Sequence, residues 1–294
     1  MIRAQLPSSI PEVEGVSHRF VGVNGIKMHL AEAGEGEPLL LLHGWPQHWY
    51  MWRYQIPHFA RKYRVVCPDL RGAGWSDAPE GNYEKERLVD DIIALLDTLQ
   101  IERVRLVGHD WGGWIGFLLC LRRPDLVDRY LALNIIHPFQ RADARLLQLW
   151  RFWYQWVIAS PFIGKWVIQN RPGIVGRMMA SGTVNKVWSE DELRIYTSRL
   201  QLPEYAYASV LLYRSFVLRE FLPIILGRYR SQRLTTPTKI LFGADDFAIS
   251  TELLKGYERN ADDLQIEFVE QCGHFIAEDR PELVTERALE FFAS

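Results

Sequence analysis

The sequence predicts an α/β fold, a mostly parallel central sheet flanked by helices with a helical cap inserted into it. Short apolar runs alternate with helix patterns before residue 138 and again after residue 236, which is the order of elements in an α/β protein. Between these limits the sequence is helical and rich in Trp and Tyr, and unstructured loops of that length are rare in compact domains. We therefore predict a core domain of residues 1–137 and 237–294 and a cap domain of residues 138–236, over the carboxyl ends of the strands.

The first elements are a hairpin and a buried strand. Asn24 and Gly25 separate runs at 19–23 and 26–31, and Asn-Gly in that position is a strong signal for a tight hairpin turn. The apolar run at 38–42 is bounded by Gly and Pro and is too short to span a membrane. Such a run is typical of a strand buried on both faces, and strands of that kind belong to parallel sheets.

The remaining elements follow in alternation. Apolar residues recur at helical spacing over 88–99 with acidic residues between them, which predicts an amphipathic helix. Further helices are expected at 114–121, closed near Pro124, and at 281–292, where Pro281 suits a first turn. The predicted strands lie at 64–67, 103–107, 130–134, 239–243 and 266–269. Core packing is the expected role of most aromatic residues in the cap, including Trp150, Trp153, Trp156, Trp166 and Trp188.

Composition limits the kind of protein. Hydrophobic residues make up 48% of the chain and charged residues 24%, as in an ordinary globular protein and unlike a disordered one. A net charge of −2 without long basic runs argues against nucleic acid as a partner. Because no apolar run could span a bilayer and no signal peptide is evident, we expect a cytoplasmic protein with no membrane partner. A monomer or homodimer is expected. Three cysteines in apolar surroundings predict reduced, packed thiols.

The stretch VGHDWGG at 107–113 carries the main functional signal. It joins a predicted strand to a predicted helix, and Gly108, Gly112 and Gly113 suit a sharp turn that holds Asp110 in a strained conformation. This is the pattern of a nucleophile elbow, whose middle residue is usually Ser. On these residues alone, Asp110 could instead be an ordinary helix N-cap.

The segment HGWP at 43–46 follows the buried strand. A sharp backbone turn there can aim the N–H of Trp45 at the same point as the N–H of Trp111, and two such donors make an oxyanion hole. Pro46 can hold that turn, and a cis peptide bond before it would suit this role. His43 and His48 match no metal-ligand spacing, so neither a metal nor a cofactor is predicted.

Two later segments complete a catalytic pattern. Asp245 and Asp246 follow one predicted strand, and His274 follows the next. A nucleophile, an acid and a histidine in this chain order form the triad of many hydrolases. His274 is therefore predicted to be the base, and one of the two aspartates is predicted to orient it.

The chain resembles an α/β-hydrolase of the epoxide hydrolase family over nearly its whole length. HGWP at 43–46 is similar to the family's HGxP loop, GHDWGG at 108–113 to its nucleophile motif, and CGHF at 272–275 to the segment around its catalytic histidine. The resemblance implies that Asp246, next to Phe247, is the triad acid.

The same resemblance implies two cap tyrosines above the nucleophile. Tyr154 and Tyr213 occupy the best-matching contexts. Tyr205 and Tyr207 are close enough in sequence to compete with Tyr213 for the second position.

The resemblance implies hydrolysis of an epoxide to a vicinal diol, and the aromatic-rich cap favours an apolar, aryl-bearing epoxide. Asp110 would attack a ring carbon and form an ester, while Tyr154 and Tyr213 protonate the opening oxygen. Water activated by His274 and Asp246 would then hydrolyse the ester. The Trp45 and Trp111 amides would hold the oxyanion.

Other functions on the same scaffold are weighed against particular residues. A haloalkane dehalogenase also uses Asp followed by Trp, but many of them carry Asn or Glu at the position of Trp45. A fluoroacetate dehalogenase would need Arg in place of Trp111 to hold the carboxylate of its substrate. Some dehalogenases place the triad acid near the end of the strand that contains residue 134, but Asn134 is an amide, which leaves Asp246 as the acid. An esterase is disfavoured because Asp110 replaces Ser, and a non-catalytic ligand receptor remains the alternative outside enzymes.

Overall fold

The computed structural model describes residues 9–139 and 153–293. Eight strands form one sheet in the order β1-β2-β4-β3-β5-β6-β7-β8. The strands are β1 (Ser17–Val23), β2 (Ile26–Ala33), β3 (Glu37–Leu42), β4 (Tyr63–Pro68), β5 (Val104–His109), β6 (Val127–Leu133), β7 (Thr238–Gly243) and β8 (Leu264–Val269). β2 pairs antiparallel with β1 and β4, whereas the other neighbours are parallel. The predicted mostly parallel α/β sheet is confirmed.

Some helices of the described residues flank this sheet, and others belong to the segment that lies between β6 and β7 in the chain. They are α1 (Ile56–Phe59), α2 (Lys85–Thr98), α3 (Trp111–Arg122), α4 (Trp153–Ala159), α5 (Ile163–Asn170), α6 (Pro172–Ser181), α7 (Glu190–Leu200), α8 (Pro203–Ser215), α9 (Phe221–Ile225), α10 (Ile276–Asp279) and α11 (Pro281–Ala293). A π-helical turn, Phe216–Glu220, joins α8 to α9. The division into core and cap domains at 138 and 236 stays a prediction.

The hairpin and the central strand form for the reasons that their sequences indicate. Asn24 and Gly25 have φ values of 46° and 79°, the left-handed pair that a type I′ turn requires. In β3, the side chains of Leu40 and Leu42 enter one apolar cluster and those of Leu39 and Leu41 enter another. Successive side chains point to opposite faces of a strand, so β3 is buried on both faces of the sheet.

Three aromatic residues of the inserted helices contradict the core-packing prediction. Trp153, Trp156 and Trp166 have exposed fractions of 64%, 56% and 52%. Their helices, α4 and α5, pack on α8 through other residues, so an outward face remains. Tyr196 does pack in the core as predicted, and Trp150 lies outside the described residues.

Two further sequence predictions can be compared with the structure. Cys67, Cys120 and Cys272 are buried and unpaired, as expected of packed thiols. In the described part of the chain, no helix is long and apolar enough to cross a membrane.

Candidate active site

Asp110 lies at a sharp turn between β5 and α3. Its φ of 49° and ψ of −121° fall outside the conformations that non-glycine residues usually adopt. The turn is held because the Asp110 N–H donates to the Leu133 carbonyl at 3.2 Å. At Gly112, a side chain would collide with the carbonyl oxygens of Leu42 and His43. A strained residue on a tightly packed strand-to-helix turn is the geometry of a nucleophile elbow.

The backbone after β3 contacts the Asp110 carboxyl directly. The N–H of Trp45 donates to Oδ2 at 3.0 Å, and the backbone N–H of Trp111 lies close enough to lower the pKa of the same carboxyl. A side chain at Gly44 would occupy the space of the carboxyl group, and the Trp45-Pro46 peptide bond is cis. The two amides that the sequence predicts to converge therefore do so on the Asp110 side chain.

His274 lies between two carboxylates. Its Nδ1 is 2.8 Å from Asp246 Oδ2, and its Nε2 is 3.8 Å from Asp110 Oδ1. Asp246 is buried, whereas Asp245 is exposed. The structure thus brings together Asp110, His274 and Asp246 and leaves Asp245 outside this contact.

Asp246 is fixed by donors on both of its oxygens. Asn134 Nδ2 donates to Oδ2 at 2.8 Å, and the N–H groups of Ala248 and Ile249 donate to Oδ1 at 2.7 and 3.0 Å. Asn134 itself has a φ of 42°. From the sequence, Asn134 is only excluded as the triad acid. In the structure, its side-chain amide donates the hydrogen bond that orients the Asp246 carboxylate.

The buried charges shift one another's pKa values. Burial alone would raise the pKa of Asp246, but His274 and the donors around the carboxylate lower it overall. Burial would lower the pKa of His274, but Asp246 and Asp110 raise it above its ordinary value. The pKa of Asp110 is raised, mainly by burial.

His109 supports His274 from the strand side. Burial lowers the pKa of His109 to about 3, so its imidazole is neutral near pH 7. Its Nε2 lies 2.9 Å from the carbonyl oxygen of His274, so it donates a hydrogen bond there. The Gly182 carbonyl also accepts the His274 N–H at 2.7 Å, which ties the segment after α6 to the histidine.

Tyr154 lines the same pocket as Asp110, and Tyr213 lies next to Tyr154. Their ring centroids are 6.4 Å apart, and Tyr213 contacts Trp45 and Trp111 at 5.2 and 5.6 Å. Burial raises the pKa of both phenols, so both stay protonated near neutral pH. Tyr205 instead donates its hydroxyl to the Ser76 carbonyl at 3.0 Å.

A buried ion pair lies behind Trp111. Lys85 at the start of α2 is fully buried, and its Nζ donates to the Leu212 carbonyl at 2.8 Å and to Glu220 Oε1 at 3.2 Å. The same ammonium group is 4.4 Å from a Trp111 ring centroid. Lys85 therefore links α2 to the end of α8, next to Tyr213, and to the π-helical turn.

A pocket opens onto the carboxylate and the histidine. Asp110, His274, Tyr154 and Gln155 supply its polar groups. The remaining wall is apolar: Trp111, Trp114, Ile135, Ile136, Phe216, Phe221, Ile224, Ile225, Ala248, Ile249 and Leu253. Such a pocket suits an apolar ligand with one polar centre. Over residues 9–139 and 153–293, no group of three or more His, Cys, Asp or Glu side chains could hold a metal ion.

Comparisons with known proteins agree with this geometry. Residues 37–167 match the model of the alpha/beta hydrolase fold family. The chain is 31% identical over 288 residues to a soluble epoxide hydrolase of a Corynebacterium species, covering 95% of this chain and 98% of that protein. It is also 30% identical to human epoxide hydrolase 4, covering 97% of this chain and 81% of that protein.

A solved structure gives the same result. The crystal structure of an epoxide hydrolase from Vigna radiata matches with a TM-score of 0.84 and 28% identity, covering 97% of this chain and 99% of that one. The chain belongs to the epoxide hydrolase family of α/β-hydrolase fold enzymes. The predicted cytoplasmic location and the monomeric or homodimeric state stay predictions.

Proposed function

We propose that this protein hydrolyses apolar epoxides to vicinal diols through a covalent ester on Asp110. The asymmetric environment of the Asp110 carboxyl supports this proposal. Oδ2 accepts the Trp45 N–H, whereas Oδ1 faces His274 at 3.8 Å, beyond a hydrogen bond, and Asp110 lines the apolar pocket. One oxygen is held by the backbone, and the other is left to attack.

In the first step, Asp110 Oδ1 attacks a saturated ring carbon, and the carbon–oxygen bond of the ring breaks. A carboxylate can do this without losing a proton, unlike Ser. Tyr154 and Tyr213 donate hydrogen bonds to the departing oxygen, and one of them protonates it. Burial keeps both phenols protonated, as this role requires.

In the second step, water attacks the carbonyl carbon of the ester, the bond between that carbon and Oδ1 breaks, and the diol leaves with Oδ1 and a proton from the His274 imidazolium. His274 Nε2 takes a proton from that water, and Asp246 stabilises the resulting imidazolium. Oδ2, now the carbonyl oxygen, already accepts the Trp45 N–H and gains negative charge in place. Ester formation also removes the negative charge of Asp110, one of the two that raise the pKa of His274. The first step therefore shifts His274 toward the neutral form that the second step needs.

The pocket wall supports an aryl-bearing substrate. Trp111, Trp114, Phe216 and Phe221 contribute aromatic surface next to Asp110, and rings pack on one another at offset or edge-on angles. Among the described residues of the wall, the catalytic groups, Gln155 and the indole N–H groups of Trp111 and Trp114 could pair with a polar substituent, and the other side chains are apolar.

Single turnover in water labelled with oxygen-18 tests the proposal. With excess enzyme and styrene oxide, we expect a diol whose newly added oxygen is unlabelled, because it comes from Asp110 Oδ1. Repeated turnover should then place label on Asp110 and, later, in the diol. Labelled diol in the first turnover would mean direct attack by water. If no diol forms, assays for halide release from haloalkanes would follow.

Replacing the proposed acid should slow ring opening. Tyr154→Phe is expected to reduce the single-turnover rate of ester formation by about 10²-fold, because a general acid contributes about 10²- to 10⁴-fold and Tyr213 remains. The matched control is Tyr205→Phe, because the Tyr205 hydroxyl donates to Ser76 instead. Equal losses in the two variants would remove Tyr154 from the proposed mechanism.

The pH profile should report His274. This base acts only when neutral, and in the ester Asp246 is the carboxylate that still raises its pKa, so the turnover rate should rise with pH as the histidine loses its proton. In Asp246→Asn, burial dominates the pKa of His274 and lowers it. The acid limb of the pH profile should therefore move to lower pH, while the plateau of kcat falls roughly 10³- to 10⁴-fold. Measuring kcat from pH 5 to 9 gives the position of the acid limb and the height of the plateau. An unchanged limb would show that Asp246 does not control the base.

A further inference from the structure

Two neighbouring helices present apolar side chains to solvent. On α4, Trp153 and Trp156 are exposed at 64% and 56%, and at the start of α5, Phe162, Ile163 and Trp166 are exposed at 85%, 61% and 52%. Helices on a protein surface normally place polar residues on that side. We call these five residues the apolar face.

The apolar face lies on the sides of α4 and α5 that are exposed to solvent. α4 and α5 contact each other, and both pack on α8. The buried residues Ile158 of α4 and Gly164 and Ile168 of α5 lie on their inner sides. Because two adjacent helices rest on the same third helix, their outward sides face the same direction.

The sequence around this face is basic only. Residues 153–189 contain Lys165, Arg171, Arg177 and Lys186 but no Asp or Glu, although the whole chain has a net charge of −2. Arg171 and Arg177 are exposed, and the Arg171 guanidinium lies 5.3 Å from a Trp166 ring centroid. Aromatic side chains beside Lys and Arg are the composition that lies in the interface of an anionic bilayer.

We propose that the apolar face docks this protein on an anionic lipid surface. Trp153, Trp156, Phe162 and Trp166 enter the boundary between headgroups and acyl chains, and the basic residues pair with lipid phosphates. The protein binds the surface peripherally, since the described helices do not span a membrane. This role goes beyond the hydrolysis proposed above, and it revises the prediction of no membrane partner.

Docking on this side would bring lipid next to the pocket. Tyr154 and Gln155, on the inner side of α4, line the pocket, while Trp153 and Trp156 of the same helix are exposed. Phe216 and Phe221 line the pocket from the π-helical turn and α9, which also expose Leu218 and Leu222. An apolar epoxide dissolved in a bilayer would thus lie beside the elements that form the pocket wall.

Co-sedimentation with vesicles tests the proposal without any substrate. We expect the full chain to sediment with vesicles of phosphatidylcholine mixed with phosphatidylglycerol and to bind pure phosphatidylcholine more weakly. Trp156→Ser with Trp166→Ser should reduce binding at least about tenfold. The matched control is Phe20→Ser with Phe268→Ser, because these residues are also exposed, at 41% and 48%, but lie on strands of the sheet.

Removing charge gives a second measurement. Arg171→Gln with Arg177→Gln should weaken binding to phosphatidylglycerol vesicles by more than about tenfold, because each basic residue near such a surface contributes about fivefold. Binding to pure phosphatidylcholine should not change. Both residues are exposed, so this pair also serves if the Trp variants lose stability in thermal unfolding.

Three results would overturn the proposal. The first is that the parent chain does not sediment with either kind of vesicle, and the second is that the strand variants lose as much binding as the Trp variants. The third is a homodimer in sedimentation velocity that the Trp variants dissociate, because the apolar face would then cover a second copy of the chain.

Discussion

Asp110→Ala is expected to lower kcat/KM for diol formation from styrene oxide by at least about 10⁴-fold, because it removes the nucleophile of a covalent mechanism. Ala cannot form the ester, and the remaining groups have no reacting carboxylate to act on. Diol formation by parent and variant is measured by chromatography at equal enzyme concentration. The matched control is Asp245→Ala, because Asp245 is an exposed carboxylate beside the same site, and this variant should keep near-parent activity.

Thermal unfolding must accompany this assay. Asp110 adopts a positive φ and its side chain accepts a hydrogen bond from the Trp45 N–H, so Ala changes local contacts as well as chemistry. A variant that keeps its melting transition and makes no diol supports Asp110 as the nucleophile. If a folded Asp110→Ala variant still makes diol at a rate near that of the parent, water must attack the epoxide directly.

Asp110→Ser sharpens the same argument. Ser is the usual residue at this turn, and its hydroxyl could be activated by His274. Attack on an epoxide carbon by that hydroxyl would give an ether, however, and water cannot cleave an ether as it cleaves an ester. We therefore expect no turnover from Asp110→Ser, although the elbow would have its ordinary residue.

The sheet and most of the catalytic contacts could be predicted from local sequence. β3 has an apolar run because both of its faces are buried, and the Asn24-Gly25 turn needs two left-handed residues. Asp110 and His274 follow strands whose carboxyl ends lie at one edge of the sheet, where α/β folds place their ligands. Chain order and strand pattern are therefore sufficient to predict that these two residues come together.

Other features depend on contacts between distant residues, which leave no local pattern. Lys85 and Glu220 are separated by 135 positions, yet they form a buried pair, and each resembles an ordinary surface residue in the sequence. The distinction between Asp245 and Asp246 depends on which carboxylate turns inward, and here the family resemblance favoured the one that contacts His274. Exposure of Trp153, Trp156 and Trp166 could not be foreseen, because apolar residues usually pack inside.

His274→Gln is expected to accumulate the ester on Asp110. Attack on the epoxide needs only the Asp110 carboxylate and the tyrosines, whereas hydrolysis of the ester needs the base. Ring opening should therefore persist while ester hydrolysis slows by at least about 10³-fold. Asp246 remains held by Asn134 and by the Ala248 and Ile249 amides, so the site should keep its shape.

Intact-mass spectrometry after exposure to styrene oxide measures this outcome. The expected spectrum shows protein heavier by the mass of one epoxide, and digestion should place the addition on the peptide that contains Asp110. The matched control is the double variant Asp110→Ala with His274→Gln, which lacks the acceptor and should stay unmodified. Only unmodified protein in His274→Gln would contradict the two-step mechanism. The same mass increase on the double variant would instead show that another side chain reacts with the epoxide, because the proposed nucleophile is absent there.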